Sequence, residues 1–205
     1  MSLDPDMAWL LALIGLYAVF LLWYGGRTRP LSAAEVQAFL ELMRRHGLDQ
    51  DDPDLYAALE RLLAEDDGHE FLMLNLIHYR DKAAYPPGMN LGDSAIAADR
   101  RYARAFFPWL LRYGNVPVLI ARRSGSFIEA ANTEHWDMVA LIRYRSRRDF
   151  IRTASAVAGK QIMVHKWAAI ETTHVFPIRT IFSFIAVRLM AATVLAVVAL
   201  IAWNL

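Results

Sequence analysis

Two long apolar stretches, Met7 to Tyr24 and Ile181 to Trp203, bracket a charged middle segment, and no other feature of the chain limits its architecture as strongly. At helical rise the first would extend about 27 Å and the second about 34 Å, against a hydrocarbon core about 30 Å thick. Both therefore read as membrane-spanning helices. Trp9, Trp23, Tyr24 and Trp203 fall near their ends, where amphipathic rings prefer the headgroup level. Met1 to Asp6 carries no basic residue and so lacks the positive start of a cleaved signal peptide. Arg27 and Arg29 follow the first stretch and Arg179 precedes the second, while the outer flanks carry no basic side chain. The positive-inside rule then predicts a two-pass protein of the cell inner membrane, its centre cytoplasmic and both termini outside. Arg188, within the second stretch, reads as snorkelling to inner-leaflet phosphates or as meeting an acidic group of another subunit.

The expected organisation is an anchor over residues 1–29, an amphipathic helical pair over 30–69, a folded domain over 70–177 and a second anchor over 178–205. The two anchors account for much of the 56% hydrophobic content. A formal charge of +1 offers no case for nucleic acid as a partner. Cysteine is absent, which excludes disulfides, thiolate catalysis and cysteine-ligated metal sites.

In the helical pair, Ser32 and Glu35 have capping-box spacing and precede Val36, Phe39, Leu40 and Met43 at helical intervals up to Gly47. Asp52 and Pro53 open a second helix that presents Leu55, Leu59, Leu62 and Leu63. Beyond Glu70 the pattern shortens. Phe71 to Tyr79 is a near-continuous apolar run, as in a strand covered on both faces. A turn-rich loop with Tyr85-Pro86-Pro87-Gly88 leads to a helix from about Ser94 to Tyr113, which Pro108 is predicted to kink or break. Strands are predicted at Val116 to Arg123, at Trp136 to Tyr144 and at Trp167 to Phe176, with a short helix from Ser146 to about Val157 between the last two. The order β-α-β-β-α-β is the split arrangement of the ferredoxin-like α+β fold. Such a sheet has helices on one face only, and the apolar character of both faces of Phe71 to Tyr79 predicts a second copy against the other, a homodimer.

The segments Phe71-Leu-Met-Leu-Asn75-Leu-Ile-His-Tyr-Arg80, Arg112-Tyr-Gly114, Trp136-Asp137, Arg143-Tyr144-Arg145-Ser146 and His165-Lys-Trp-Ala-Ala-Ile-Glu171 resemble an uncharacterised branch of the dimeric α+β barrel superfamily, over about Glu70 to Pro177. Its members include cofactor-free monooxygenases, lactone isomerases and haem-binding chlorite dismutase-like proteins, so the resemblance implies a fold more than a reaction. It also implies a pocket between the sheet and its helices, entered near the loop after the first strand.

Candidates for that pocket come from strand alternation. Asn75 shares a face with Phe71, Met73, Ile77 and Tyr79, whereas His78 points with Leu72, Leu74 and Leu76 to the other. An amide within an apolar strand needs partners, so Asn75 either ties neighbouring backbone or orients a ligand carbonyl. His78 and His165 are the candidate general bases, since histidine exchanges a proton near neutral pH. Tyr102 and Trp136, with Phe106, Trp109 and Tyr113, form an aromatic supply for the core or for the wall of a lipophilic pocket, and Tyr102 and Trp136 stand as ligand-binding candidates. His69, His78, His135, His165 and His174 lack compact metal-ligand spacing, so neither a metal nor another cofactor is expected. Two functions remain open: a membrane-anchored barrel that binds a lipophilic small molecule, or transforms it without a cofactor as an oxygenase or isomerase, and an accessory or scaffold subunit of a larger membrane protein complex.

Overall fold

The structure is a computed structural model that describes residues 11, 15, 18–25, 28–89, 91–92, 94–128, 135–183, 193, 196–197 and 200–201. Two compact units result: residues 1–23 with 179–205, and residues 24–178. The second carries every strand among the described residues and is described by itself.

Three helices begin it: α1 (Ala33–Arg45), α2 (Leu48–Asp51) and α3 (Pro53–Ala64). The capping box at the start of α1 forms, with the Glu35 N–H donating to Ser32 Oγ at 3.3 Å and the Ser32 N–H donating to Glu35 Oε2 at 2.8 Å. Asp52 caps α3 through the Leu55 N–H at 2.9 Å, and Pro53 occupies the first turn, where its missing N–H costs nothing. Phe39, Leu40 and Met43 of α1 pack on Leu63 of α3.

The remainder runs β1 (Phe71–Tyr79), α4 (Ala95–Arg112), β2 (Val116–Arg122), β3 (Met138–Tyr144), α5 (Arg147–Val157), α6 (Ile162–Ala169) and β4 (Ile170–Ile178). The strands form one four-stranded antiparallel sheet in the order β2-β3-β1-β4. Asn75 sits opposite Ala140 on β3 and Val175 on β4, and Leu74 opposite Leu141 and Phe176. Ser94 and Ser146 cap α4 and α5 by accepting from Ala97 N–H at 3.2 Å and Asp149 N–H at 3.1 Å.

The membrane-flanked fold class is corrected. Among the described residues no helix is long and apolar enough to cross a membrane. What stands is a mixed α/β domain with a four-stranded antiparallel sheet. The physical distinction is continuity: a span needs about 20 apolar residues in one unbroken helix, and an apolar composition does not supply that alone. The longest described helix, α4, carries Asp99, Arg100, Arg101, Arg104 and Arg112. The two-pass inner-membrane topology, with its cytoplasmic centre and outward termini, falls with the spans. Half of the first apolar stretch and most of the second, including Trp9, Arg188 and Trp203, lie outside the described residues, as does Arg27.

Three local expectations also change. Helix α4 continues through Pro108, whose exposed position lets solvent replace the lost backbone hydrogen bond. Strand β3 starts at Met138 rather than Trp136. Trp167 belongs to α6, and the last strand starts at Ile170. Packing decides this boundary: Ala168 and Ala169, 1% and 0% exposed, share a core cluster with Ala95 and Ala98 of α4, and such small side chains let two helices approach closely.

Thr28 crosses the turn after α3, where its N–H donates to Gly68 O at 2.7 Å. Gly68 has φ 73°, and a Cβ there would lie 2.2 Å from Thr28 O. Gly68→Ala is expected to cost about 2–4 kcal/mol, from left-handed strain plus a backbone clash. Urea unfolding of the variant checks this, and a loss below about 1 kcal/mol would show that the turn relaxes freely.

Candidate functional site

Alternation along β1 sends Phe71, Met73, Asn75, Ile77 and Tyr79 towards the helices, and β3 adds Met138, Ala140, Ile142 and Tyr144 to the same side. These side chains do not close on the helices completely. A cavity of about 1040 Å³ remains between the sheet and the helical layer. Its wall is largely apolar, with Leu62, Phe106, Leu110 and Phe150 towards the Phe71 end of the sheet. Arg61 and Glu65, which flank Leu62, also line it with His46 and Lys160, and at the Tyr79 end of the sheet Asp99, Lys166 and Arg122 reach the cavity.

The Tyr79 hydroxyl donates to Asp99 Oδ2 at 2.8 Å and lies 3.3 Å from Met138 Sδ. Burial, then the Asp99 carboxylate, pushes the Tyr79 hydroxyl far above its ordinary pKa, so it remains a donor. Burial likewise raises Asp99, opposed by the Tyr79 hydrogen bond and by the charges of Lys166 and Arg122. Lys166 lies with Nζ 5.9 Å from the ring centre of Tyr102 and 4.9 Å from that of Trp167. Desolvation lowers its amine to about 8, with Asp99 pulling the other way. None of these three charged groups stood out in the sequence. Lys166 lies one residue from His165 on an unrecognised helix, and the Asp99–Tyr79 contact joins residues twenty apart.

Of the sequence candidates, Asn75 and Tyr102 line this cavity. Asn75 Nδ2 donates to Met73 O at 3.1 Å and to Ala140 O at 3.3 Å. Both amide hydrogens are thereby used, and Oδ1 has no protein partner among the described residues. The expected interaction with a ligand carbonyl is thus inverted: the available atom accepts, and suits a ligand hydroxyl or N–H. Tyr102 stacks on Phe106 with ring centres 5.2 Å apart, and burial raises its hydroxyl pKa strongly.

The other three candidates lie elsewhere. His78 Nδ1 lies 2.8 Å from Asp137 Oδ2 and its Nε2 lies 3.6 Å from Glu171 Oε2. It borders a second cleft, of about 580 Å³, with Arg80, Asp81 and Asp137, which shares Tyr79, Ile96 and Arg122 with the large cavity. Partial burial acts to raise the Asp137 carboxyl, but hydrogen bonds from the Tyr79 N–H and the His78 ring outweigh it and hold the pKa below the usual value. His165 Nδ1 lies 3.0 Å from the Tyr85 hydroxyl, which accepts from Arg101 Nη1 at 3.1 Å, so this histidine ties α6 to the loop after β1. The Trp136 ring packs 4.9 Å from that of His174, on the sheet face away from the cavity. The two histidines are therefore not brought together. Among the described residues no group of three histidine or acidic side chains is placed to hold a metal ion.

No protein-family model matches the chain, and no curated protein matches it. Solved structures do. The crystal structure of methylated RPA0582 protein is 25% identical, with a TM-score of 0.56, over 62% of this chain and 91% of that one. A second structure, of the RPA0582 protein of unknown function from Rhodopseudomonas palustris, is 24% identical, with a TM-score of 0.55, over 62% of this chain and 94% of that one. What this chain shares with them is the fold.

Proposed function

We propose that the domain binds a lipophilic small molecule in the cavity between the sheet and its helices. The observation that carries this reading is a largely apolar space of about 1040 Å³ with a limited number of polar groups on its wall. A volume near the upper end of the usual ligand-site range, about 300–1,000 Å³, suits a drug-sized or single-chain lipophilic molecule. Binding rather than turnover is the reading, because neither His78 nor His165 lines the cavity. Isothermal titration of the full chain with 1-dodecanol, supported by displacement of an apolar fluorescent probe, tests it. Saturable one-site binding supports the proposal, and no heat together with no displacement overturns it.

The proposed partner is a second copy of this chain. The sheet face opposite the cavity presents Leu72, Leu74 and Leu76 from the central strand β1, Val139 and Leu141 from β3, and Phe176, 43% exposed, from β4. A contiguous apolar sheet face of this kind marks an interaction surface, and two-fold pairing would return the same apolar residues to it. Leu74→Glu, at the middle of this face, is expected to convert dimer to monomer while leaving cavity binding intact. Light scattering during size-exclusion chromatography reads both masses. A parent protein that runs as a monomer at micromolar concentration would overturn the pairing.

A further inference from the structure

At the Tyr79 end of the cavity Lys166 brings an ammonium that has no carboxylate at salt-bridge distance among the described residues. Lys166 is positioned by α6, whose Ala168 and Ala169 pack against Ala95 and Ala98 of α4 in the core. Asp99 is near enough to act on its Nζ through space. Asp99 is engaged instead by the Tyr79 hydroxyl at 2.8 Å. Arg122, from β2, brings a second cation to the cavity. At this end of the cavity two cationic side chains therefore stand near Asp99, whose carboxylate is already hydrogen-bonded. Phe106, Leu110, Phe150 and Leu62 give an apolar stretch of wall, and Arg61, Glu65, His46 and Lys160 line the cavity beyond it.

We propose that the cavity takes a single-chain lipophilic carboxylate, its headgroup on Lys166 and its tail along the apolar wall towards Leu62 and Phe150. This rests on the lipophilic-site reading and adds the chemical class of the ligand. An ammonium inside an apolar cavity gains most from an anion brought by the ligand, because the same low dielectric that penalises an unpaired charge strengthens a paired one. The lowered pKa of Lys166 is the response of an amine held there without such a counter-ion. The unpartnered Asn75 Oδ1 lies four residues along β1 from Tyr79, about 13 Å at strand rise, and would accept from a hydroxyl carried on the tail.

The test compares dodecanoate with 1-dodecanol, matched in chain and different in charge, by isothermal titration of the full chain. Dodecanoate is expected to bind about tenfold more tightly than the alcohol, as one charge-assisted contact implies. Lys166→Met is expected to remove that advantage, so that the variant binds the two compounds alike, and Lys166→Arg to restore most of it; thermal melts confirm that each variant folds. Equal affinities in the parent, or undiminished dodecanoate binding in Lys166→Met, would overturn the carboxylate assignment while leaving the lipophilic site standing. Failure of both compounds to bind would instead remove the site itself.

Discussion

Asn115→Ala is expected to destabilise the domain by about 3 kcal/mol. Asn115 follows Gly114, whose φ of 70° ends the turn after α4, and is 0% exposed. Its Nδ2 donates to Asp149 O at 3.2 Å and to Thr153 Oγ1 at 2.9 Å, and its Oδ1 accepts from the Arg145 N–H at 2.9 Å. One side chain thereby joins the entrance to β2, the turn after β3 and the first turns of α5. Alanine leaves the buried Arg145 N–H without its acceptor, and water has little access because Ser146, Asp149 and Thr153 are also 0–1% exposed. The unfolding midpoint should fall by about 6–12 °C. Urea denaturation checks the free energy, and a loss below about 1 kcal/mol would mean that a repacked backbone or a trapped water satisfies the site.

Ala140→Phe is expected to weaken binding in the cavity by about a hundredfold while changing stability by less than about 1 kcal/mol. Ala140 is 7% exposed and faces the cavity from the middle of β3, opposite Asn75. In a closed core a phenyl group at such a position would overpack and cost about 1–3 kcal/mol. Here about 1040 Å³ lies in front of it, so the ring can enter without displacing the helices. The Asn75 hydrogen bond to this residue uses the backbone carbonyl and survives the substitution. Titration with 1-dodecanol and a thermal melt on the same sample separate the two effects. Unchanged binding would place the ligand away from the sheet centre, and a severe loss of stability would mean that the space is not truly open.

Local signals were legible where the responsible atoms lie within a few residues of one another. Ser32 with Glu35, Asp52 with Pro53, Ser94 and Ser146 each satisfy the orphan N–H groups of the turn that follows, so these helix starts can be read one residue at a time. The extent of β1 and its two faces follow from apolar content and a period of two, which already separates Asn75 from His78. The membrane reading rested on hydropathy, which counts apolar residues, whereas among the described residues no helix is long and apolar enough to cross a membrane. Trp167 was misplaced for a related reason, since the apolar run from Trp167 to Ile170 suits a strand as well as a helix until Ala168 and Ala169 meet Ala95 and Ala98.

By itself the sequence determined the helix caps, the span of β1 and the division of its side chains between two faces, because backbone capping and strand alternation act over one to four residues. Only the tertiary structure decided what those faces meet. It set His78 between Asp137 and Glu171, gave His165 to Tyr85, and brought Lys166, Asp99 and Tyr79 from three separate elements to one end of an apolar cavity. Those placements depend on the sheet order β2-β3-β1-β4 and on how closely α4 and α6 pack, which are properties of distant pairs rather than of any stretch of chain.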